Sequence, residues 1–255
     1  MDRAASVEGI RTEAERILTL VEPVGARLDA PVPACPEWSV EQTVNHLGRV
    51  YAMVSEVLRG NPEDPPDRSL IPKRADSQPA PAWLRERLEI MLALLGDVPD
   101  GSLAWNFVSG PSSPVAFWWR RQLHETLIHR VDVEQAVGIP VTKAEPAVAA
   151  DGIDEFLTMS GFRPVGWDEI ELGEGMTIHL HATDVAEAEW TLDTDQKVYS
   201  KAHLKADVAL RGEAWAIDRW CWRRLTLGAS QGSEETGTIE AFGDVAAAEE
   251  WRPAI

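Results

Sequence analysis

Apolar side chains recur every three or four residues over most of the first 140 residues, which is the spacing of amphipathic helices. Residues 7 to 28 predict a first helix with a kink at Pro23. Ser39, followed three residues later by a glutamine, forms a capping-box pattern and predicts the start of a second helix that ends at Gly60. The N-terminal part of the chain is therefore predicted to be helical.

Two more helices are predicted after a charged, proline-rich connection over residues 61 to 81. They span about residues 82 to 95 and 115 to 137, and Gly138 ends the second of them. Four helices joined in this way predict an antiparallel bundle. In an up-and-down bundle the second and fourth helices run parallel, so positions near their starts are expected to lie at a similar level.

The pattern changes after a fifth predicted helix near residues 145 to 159. The segments "MTIHLHAT", "AEWTLDT", "ADVALRG" and, more weakly, "TIEAF" alternate between apolar and polar residues, as strands do. Further helices are predicted between the last two segments and at the end of the chain. Strands mixed with helices predict an α+β domain. We therefore divide the chain into one domain over residues 1–143 and another over residues 144–255.

The charge balance of the chain limits its partners. It carries 24 Lys and Arg against 42 Asp and Glu, a net charge of −18, and such a chain repels phosphate backbones and anionic membranes. We therefore expect neither a nucleic-acid nor a membrane partner. The N-terminus lacks a signal-peptide pattern, no apolar run reaches the length of a membrane span, and two cysteines make no disulfide framework. These features predict a cytoplasmic protein.

The predicted fourth helix places several titratable groups in the segment "HETLIHRVDVEQAVG". Glu125 and His129 are four residues apart and share one helix face, and Asp132 follows on the same stripe. His46 on the second helix is the candidate third ligand of a set of two histidines and a glutamate, which is known from catalytic zinc sites. The alternative is an exposed, salt-bridged helix face, in which Arg121 pairs with Glu125.

The sequence favours structural roles for three other histidines and for the two cysteines. His179 and His181 alternate on one predicted strand, with His203 near another, and they could bind a metal, although hydrogen-bonded structural roles are favoured. Cys35 stands beside a proline with no neighbouring base, and Cys221 lies in a tryptophan-rich helix. Both cysteines are therefore predicted to be packed rather than nucleophilic.

Three segments resemble one known family, in the same order along the chain. "CPEWSVEQTVNHLG" resembles the C-P-x-W-[ST]-V…H-L signature of the actinobacterial mycothiol-dependent maleylpyruvate isomerase family, within the DinB-like metalloenzyme superfamily. "RRQLHETLIHRVDVEQAVG" is similar to its second signature, H-E-x-x-x-H-R-x-D, and "IHLHATD" with "VALRGEAWAIDRWCWRRL" resembles its C-terminal domain. The resemblance implies a multi-domain protein, with an all-α, DinB-like four-helix bundle followed by an α+β, sterol-carrier-like domain.

The resemblance also implies a site. The metal ligands of the family fall on His46, Glu125 and His129, and no catalytic residue is expected beyond these ligands. Asp132 and Arg130 are expected to support the ligands or the fold.

The implied cofactors are a divalent metal and mycothiol as a thiol cosubstrate. Zinc is the expected ion, with nickel or another divalent metal left open. Coordination to the metal converts the thiol to a thiolate. The thiolate then adds to an electron-poor double bond, allows rotation about the resulting single bond and is expelled. The partner is a small-molecule electrophile, and Arg224 is the candidate to bind a carboxylate on it.

Two other functions stay open at this point. The same thiolate could be transferred to the electrophile and stay there, which would make the chain a mycothiol S-transferase. The chain could also be a regulator that binds a metal or a small molecule without catalysis. A monomer and a homodimer are both compatible with the sequence.

Overall fold

The computed structural model describes residues 2–166, 175–227 and 238–251. The chain divides into two compact units, Met1–Pro140 and Val141–Ile255, and the boundary predicted after residue 143 lies close to this division.

The N-terminal unit contains four long helices and two short β-hairpins. Its elements are α1 (Arg3–Val21), β1 (Pro31–Val32), β2 (Cys35–Ser39), α2 (Val40–Arg59), α3 (Ala80–Asp97), β3 (Leu103–Asn106), β4 (Gly110–Pro114) and α4 (Ala116–Val137). The hairpins had not been predicted. No helix in the described ranges of the chain is both long and apolar enough to cross a bilayer.

The predicted helix ends are confirmed where the local signal is strong. Ser39 caps α2, with both hydrogen bonds of a capping box to Gln42, and Gly138 ends α4 in a left-handed conformation (φ 77°). The prediction for α1 is wrong in its C-terminal part. The helix stops at Val21, before Pro23, so the proline follows the helix instead of kinking it.

The directions of the helices follow from the contacts that α1 makes. The pairs are Gly9–Leu123 and Glu13–Arg130 between α1 and α4, and Arg11–Glu89 and Glu22–Arg85 between the α1 region and α3. In the two pairs between α1 and α4, the residue numbers of both helices rise together. In the two pairs between the α1 region and α3, the numbers of one rise while those of the other fall. Helices α1 and α4 are therefore parallel, and α3 is antiparallel to both.

The connection over residues 61–79 returns the chain to the end of the bundle at which α2 begins. Arg74, near the end of this connection, donates to Asn45 in the first half of α2, and Gly48 of α2 faces Trp83 in the first turn of α3. Helices α2 and α3 are therefore parallel. It follows that α2 and α4 are antiparallel, and the expected parallel arrangement is wrong because the long connection crosses the length of the bundle.

The C-terminal unit is α+β, as expected. Its elements are α5 (Pro146–Met159), β5 (Arg163–Pro164), β6 (Thr177–Ala182), β7 (Glu189–Asp193), β8 (Val198–Ser200), β9 (Val208–Gly212), α6 (Ala214–Cys221), β10 (Ile239–Gly243) and α7 (Val245–Trp251). The four predicted strands are present, and β5 and β8 had not been predicted.

One six-stranded sheet organises this unit, with the strand order β10-β9-β6-β7-β8-β5. The β6 strand pairs antiparallel with β7 and parallel with β9. Ile178 and Leu180 of β6 alternate with its histidines, and Trp190 and Leu192 of β7 continue the same buried row. Trp190 also donates to Asp154 of α5, which places this apolar face against the helices of the unit.

The close approach of α2 and α3 yields a stability prediction. A methyl group on Gly48 would overlap the indole nitrogen of Trp83, which is only 2% exposed, so one of the two helices or the indole would have to shift. We expect Gly48→Ala to lower the free energy of unfolding by about 1–3 kcal/mol because the packed core would be overfilled. Urea unfolding of the full chain measures this change.

Gly96→Ala is the matched control. Gly96 lies in α3, and a methyl group there would meet no atom within 4 Å. This substitution should stabilise the protein by roughly 0.5–1 kcal/mol because alanine favours the helix. Equal effects of the two substitutions would contradict the close approach of α2 and α3.

Candidate metal centre

Helix α4 buries its titratable face. The side chains of Arg121, Glu125 and His129 are 8%, 14% and 11% exposed, and that of Asp132 is 1% exposed. The ion pair between Arg121 and Glu125 is present, but the alternative of an exposed, salt-bridged face is wrong. Burial of charged groups is costly unless each has a partner, so this face depends on specific contacts.

The structure brings His46, Glu125 and His129 together. His46 Nε2 lies 3.0 Å from Glu125 Oε1, and His129 Nε2 lies 3.4 Å from the same oxygen. The two imidazole centroids are 5.0 Å apart. One potential ligand atom from each of the three residues lies within 4.8 Å of the others. Two side chains from α4 and one from α2 thus converge on one point.

Asp132 fixes the orientation of His129. Its Oδ2 lies 2.8 Å from His129 Nδ1, and the carboxylate is buried. A carboxylate accepts a hydrogen bond from Nδ1–H, which leaves Nε2, the atom near Glu125, with its lone pair available. The two carboxylate oxygens of Glu125 also have different partners. Arg121 donates to Oε2, whereas both imidazoles lie near Oε1.

Arg130 belongs to the packing between helices. Its fully buried guanidinium donates to Glu13 of α1 and to Glu134 of α4. These bonds join α1 to the half of α4 that carries His129. Of the two supporting residues predicted from the sequence, Asp132 therefore contacts a candidate ligand directly, and Arg130 bonds to glutamates that hold the helices together.

Trp38 forms a wall of the centre that the sequence had not predicted. It lies in β2, immediately before the cap of α2, and its ring centroid is 5.0 Å from that of His46 and 6.3 Å from that of His129. The hairpin formed by β1 and β2 holds it there. The only sequence signal was its place in "CPEW", three residues after Cys35.

His46 is uncharged in this environment. Burial and then the positive charges of His129, Arg49 and Arg121 lower the pKa of His46 from 6.5 to about 3, against an opposing effect of Asp132. The imidazole is therefore neutral near pH 7. A neutral imidazole is the form that binds a metal, so His46 does not have to lose a proton first.

A cavity of about 440 Å³ lies beside this part of α2. Its lining residues are Asn45, Arg49, Lys73, Arg74 and Asp76. Asn45 and Arg49 flank His46 in the sequence, so the cavity and the centre share one stretch of helix. Arg49 and Lys73 are exposed, and neither forms an ion pair within the described part of the chain. This cavity could not be predicted from the sequence, because residues 61 to 81 have a composition typical of a surface loop.

Arg224 and the two cysteines are the other candidates that the sequence analysis considered. Arg224 follows α6, is 8% exposed, and donates from Nη1 to the carbonyl oxygen of Trp222 at 2.6 Å. Cys221 is fully buried in α6, and Cys35 is half-buried in β2. A substrate contact by Arg224 stays a prediction.

Comparisons with known proteins agree with this architecture. The model of the mycothiol maleylpyruvate isomerase N-terminal domain matches residues 10–134, and that of the MDMPI C-terminal domain matches residues 147–250. No curated protein sequence matches the chain. These matches define a two-domain protein in which a helical bundle precedes a sheet-containing domain. The chain belongs to the mycothiol maleylpyruvate isomerase family.

Two solved structures share the fold. One is the mycothiol-dependent maleylpyruvate isomerase, with a TM-score of 0.54 and 14% identity. The other is a mutant of that enzyme in which a histidine is replaced by alanine, with a TM-score of 0.53 and 13% identity. Each comparison covers 94% of this chain and 93% of the other. At this level of identity the likeness establishes the fold.

Proposed function

We propose that this chain is a divalent-metal- and mycothiol-dependent enzyme of the maleylpyruvate isomerase type. It would activate a thiolate for addition to an electrophilic small molecule and so interconvert cis and trans isomers. The convergence of His46, Glu125 and His129 carries the proposal. Membership of the family supports mycothiol as the thiol.

The three residues fit a zinc-class ion. Two imidazoles and one carboxylate are the donor set of several catalytic zinc sites, and three protein ligands leave a coordination position open. A divalent ion held there would supply the positive charge that favours the thiolate form of a thiol near neutral pH. Asp132 keeps Nε2 of His129 available, and Arg121 pairs with the carboxylate oxygen of Glu125 that faces away from the imidazoles.

Trp38 limits the access of water to this centre. Its ring packs beside both His46 and His129, and the ring is only half-exposed. Replacing water by an aromatic wall lowers the local dielectric constant, which strengthens the interaction of the ligands with a cation. It would also reduce the competition of water with a thiol for a bound ion.

The cavity beside α2 supports an anionic substrate. In a chain with a net charge of −18, Arg49, Lys73 and Arg74 line this cavity beside a single carboxylate, that of Asp76, and Arg49 lies about one turn after His46 on α2. Arg74 is engaged with Asn45 and with Glu41, whereas Arg49 and Lys73 are available. An arginine binds a carboxylate through two parallel hydrogen bonds. We therefore assign Arg49 and Lys73 to a carboxylate of the electrophile.

The same centre is compatible with a thiol transferase. Addition of the thiolate followed by its expulsion gives an isomer, whereas retention of the new carbon–sulfur bond gives a conjugate. Product analysis distinguishes the two, and binding of mycothiol without any turnover would indicate a regulator.

The first test is the effect of the three candidate ligands. We expect His46→Gln, Glu125→Gln and His129→Gln each to remove one divalent ion per chain and to abolish mycothiol-dependent isomerisation of maleylpyruvate. The loss should exceed the roughly 10–100-fold effect that follows removal of a supporting partner. Inductively coupled plasma mass spectrometry measures the metal, and absorbance of the product measures turnover.

His124→Gln is the matched control for this test. His124 lies on α4 but roughly 140° around the helix from His129, so its replacement should leave the metal and the activity in place. Thermal unfolding of every variant checks the fold. Full activity in a folded variant that has lost one of the three side chains would refute the proposed centre.

The second test concerns the cationic cavity. We expect Arg49→Gln to lower kcat/KM for a carboxylate electrophile about tenfold, which corresponds to about 1.4 kcal/mol, since one charge-assisted contact is lost. The affinity for mycothiol should not change. Arg68→Gln is the control, because Arg68 is an exposed arginine of the same connection and does not line the cavity. An equal loss with the methyl ester of the substrate would contradict binding of a carboxylate.

A further inference from the structure

We propose that His179, His181, Glu189 and His203 form a second divalent-metal site, which lies wholly within the C-terminal unit and has a structural role. The ligand chemistry is that of a zinc-class ion bound by three imidazoles and one carboxylate. This site is independent of the proposed catalytic centre, with which it shares no residue.

The sheet places three of the four side chains on one face. His179 and His181 are two residues apart on β6, so they project to the same side. In the antiparallel pairing of β6 with β7, His181 stands directly opposite Glu189. The face that carries them is the reverse of the apolar row formed by Ile178 and Leu180.

Thr191 brings the fourth side chain to this face. It stands opposite His179 on β7, and its hydroxyl donates to the carbonyl oxygen of Ala202 at 2.6 Å. The same hydroxyl oxygen accepts a hydrogen bond from the backbone N–H of Leu204 at 3.3 Å. These two bonds hold the chain on both sides of His203 against the sheet. The imidazole of His203 is therefore positioned by the backbone, although it is 73% exposed.

All three imidazoles converge on the carboxylate of Glu189. Its oxygens lie 3.2 Å from His179 Nε2, 2.9 Å from His181 Nδ1 and 2.7 Å from His203 Nδ1. The ring centroids of His179 and His203 are only 4.5 Å apart. One potential ligand atom from each of the four residues lies within 4.8 Å of the others, which is the spacing of a metal's coordination sphere.

The charges around the cluster favour a cation at its centre. The carboxylate of Glu189 faces three imidazoles. Two basic side chains of this unit pair with other carboxylates: Arg211, in register with His181, pairs with Glu240, and Lys201, two residues before His203, pairs with Asp154. Imidazole nitrogens and carboxylate oxygens are ligands that zinc-class ions accept.

The number of ligands indicates a structural role. Four protein ligands close a tetrahedral zinc site, whereas catalytic sites keep a position open. An ion here would join β6, β7 and the connection between β8 and β9. Its removal should therefore loosen that connection and lower the thermal stability of the protein, with no direct effect on a thiol.

The test is a zinc titration of the full-length, metal-free chain carrying His46→Gln and His129→Gln, which eliminates the first centre. Isothermal titration calorimetry should detect one zinc ion per chain, and zinc should raise the Tm. Adding His203→Ala or Glu189→Gln should weaken this binding by about tenfold or more, since a direct ligand matters at least as much as a supporting partner. His203 is exposed, so its replacement should not prevent folding.

Glu187→Gln provides the matched control. Glu187 is exposed two residues before Glu189 and is not part of the cluster, so this variant should bind zinc as tightly as its parent. X-ray absorption at the zinc edge should find three imidazole nitrogens and one carboxylate oxygen in the parent and two nitrogens after His203→Ala. Absence of zinc binding in the parent, or binding unchanged by both His203→Ala and Glu189→Gln, would overturn the proposal. Neither result would bear on the first centre, which the parent lacks.

Discussion

The antiparallel contact between α2 and α4 is the constraint on which the candidate centre depends, because its side chains come from both helices. Tyr51 of α2 and Thr126 of α4 share a buried hydrogen bond of 2.7 Å, and His46 meets His129 farther along the same interface. The capping box at Ser39 fixes where α2 begins. Any slip of one helix along the other by a turn would move His46 away from its partners by about 5.4 Å.

Two ligand clusters in one acidic chain illustrate how similar donors acquire different roles. The first has three candidate ligands, a neighbouring arginine, an aromatic wall and a cavity lined by basic residues, which together would suit an ion that must accept a substrate. The second has four candidate ligands on a sheet and on a chain segment that Thr191 holds in place. The number of ligands and the groups around them, more than the ligand types, separate a proposed catalytic site from a proposed structural one.

Local sequence signals predicted the parts of the fold that depend on neighbouring residues. The start of α2, the end of α4 and the shared face of Glu125 and His129 all follow from spacing and capping, and the structure has each of them. The direction of α2 relative to α4 could not be predicted in this way, because the course of residues 61–79 is not encoded in a local pattern. Trp38 and Glu189 were missed as neighbours of the clusters for the same reason: a short hairpin holds Trp38, and the pairing of β7 with β6 places Glu189 opposite His181.

The proposed centre formed by His46, Glu125 and His129 would bind a thiol supplied from solution. Cobalt-substituted protein tests this binding, because a thiolate bound to Co²⁺ produces a charge-transfer band in the near ultraviolet. In a Cys35→Ser variant, which removes the half-buried protein thiol, mycothiol should produce this band until one thiol is bound per chain. A band that is present before mycothiol is added, or that never forms, would contradict binding of an external thiol at this centre.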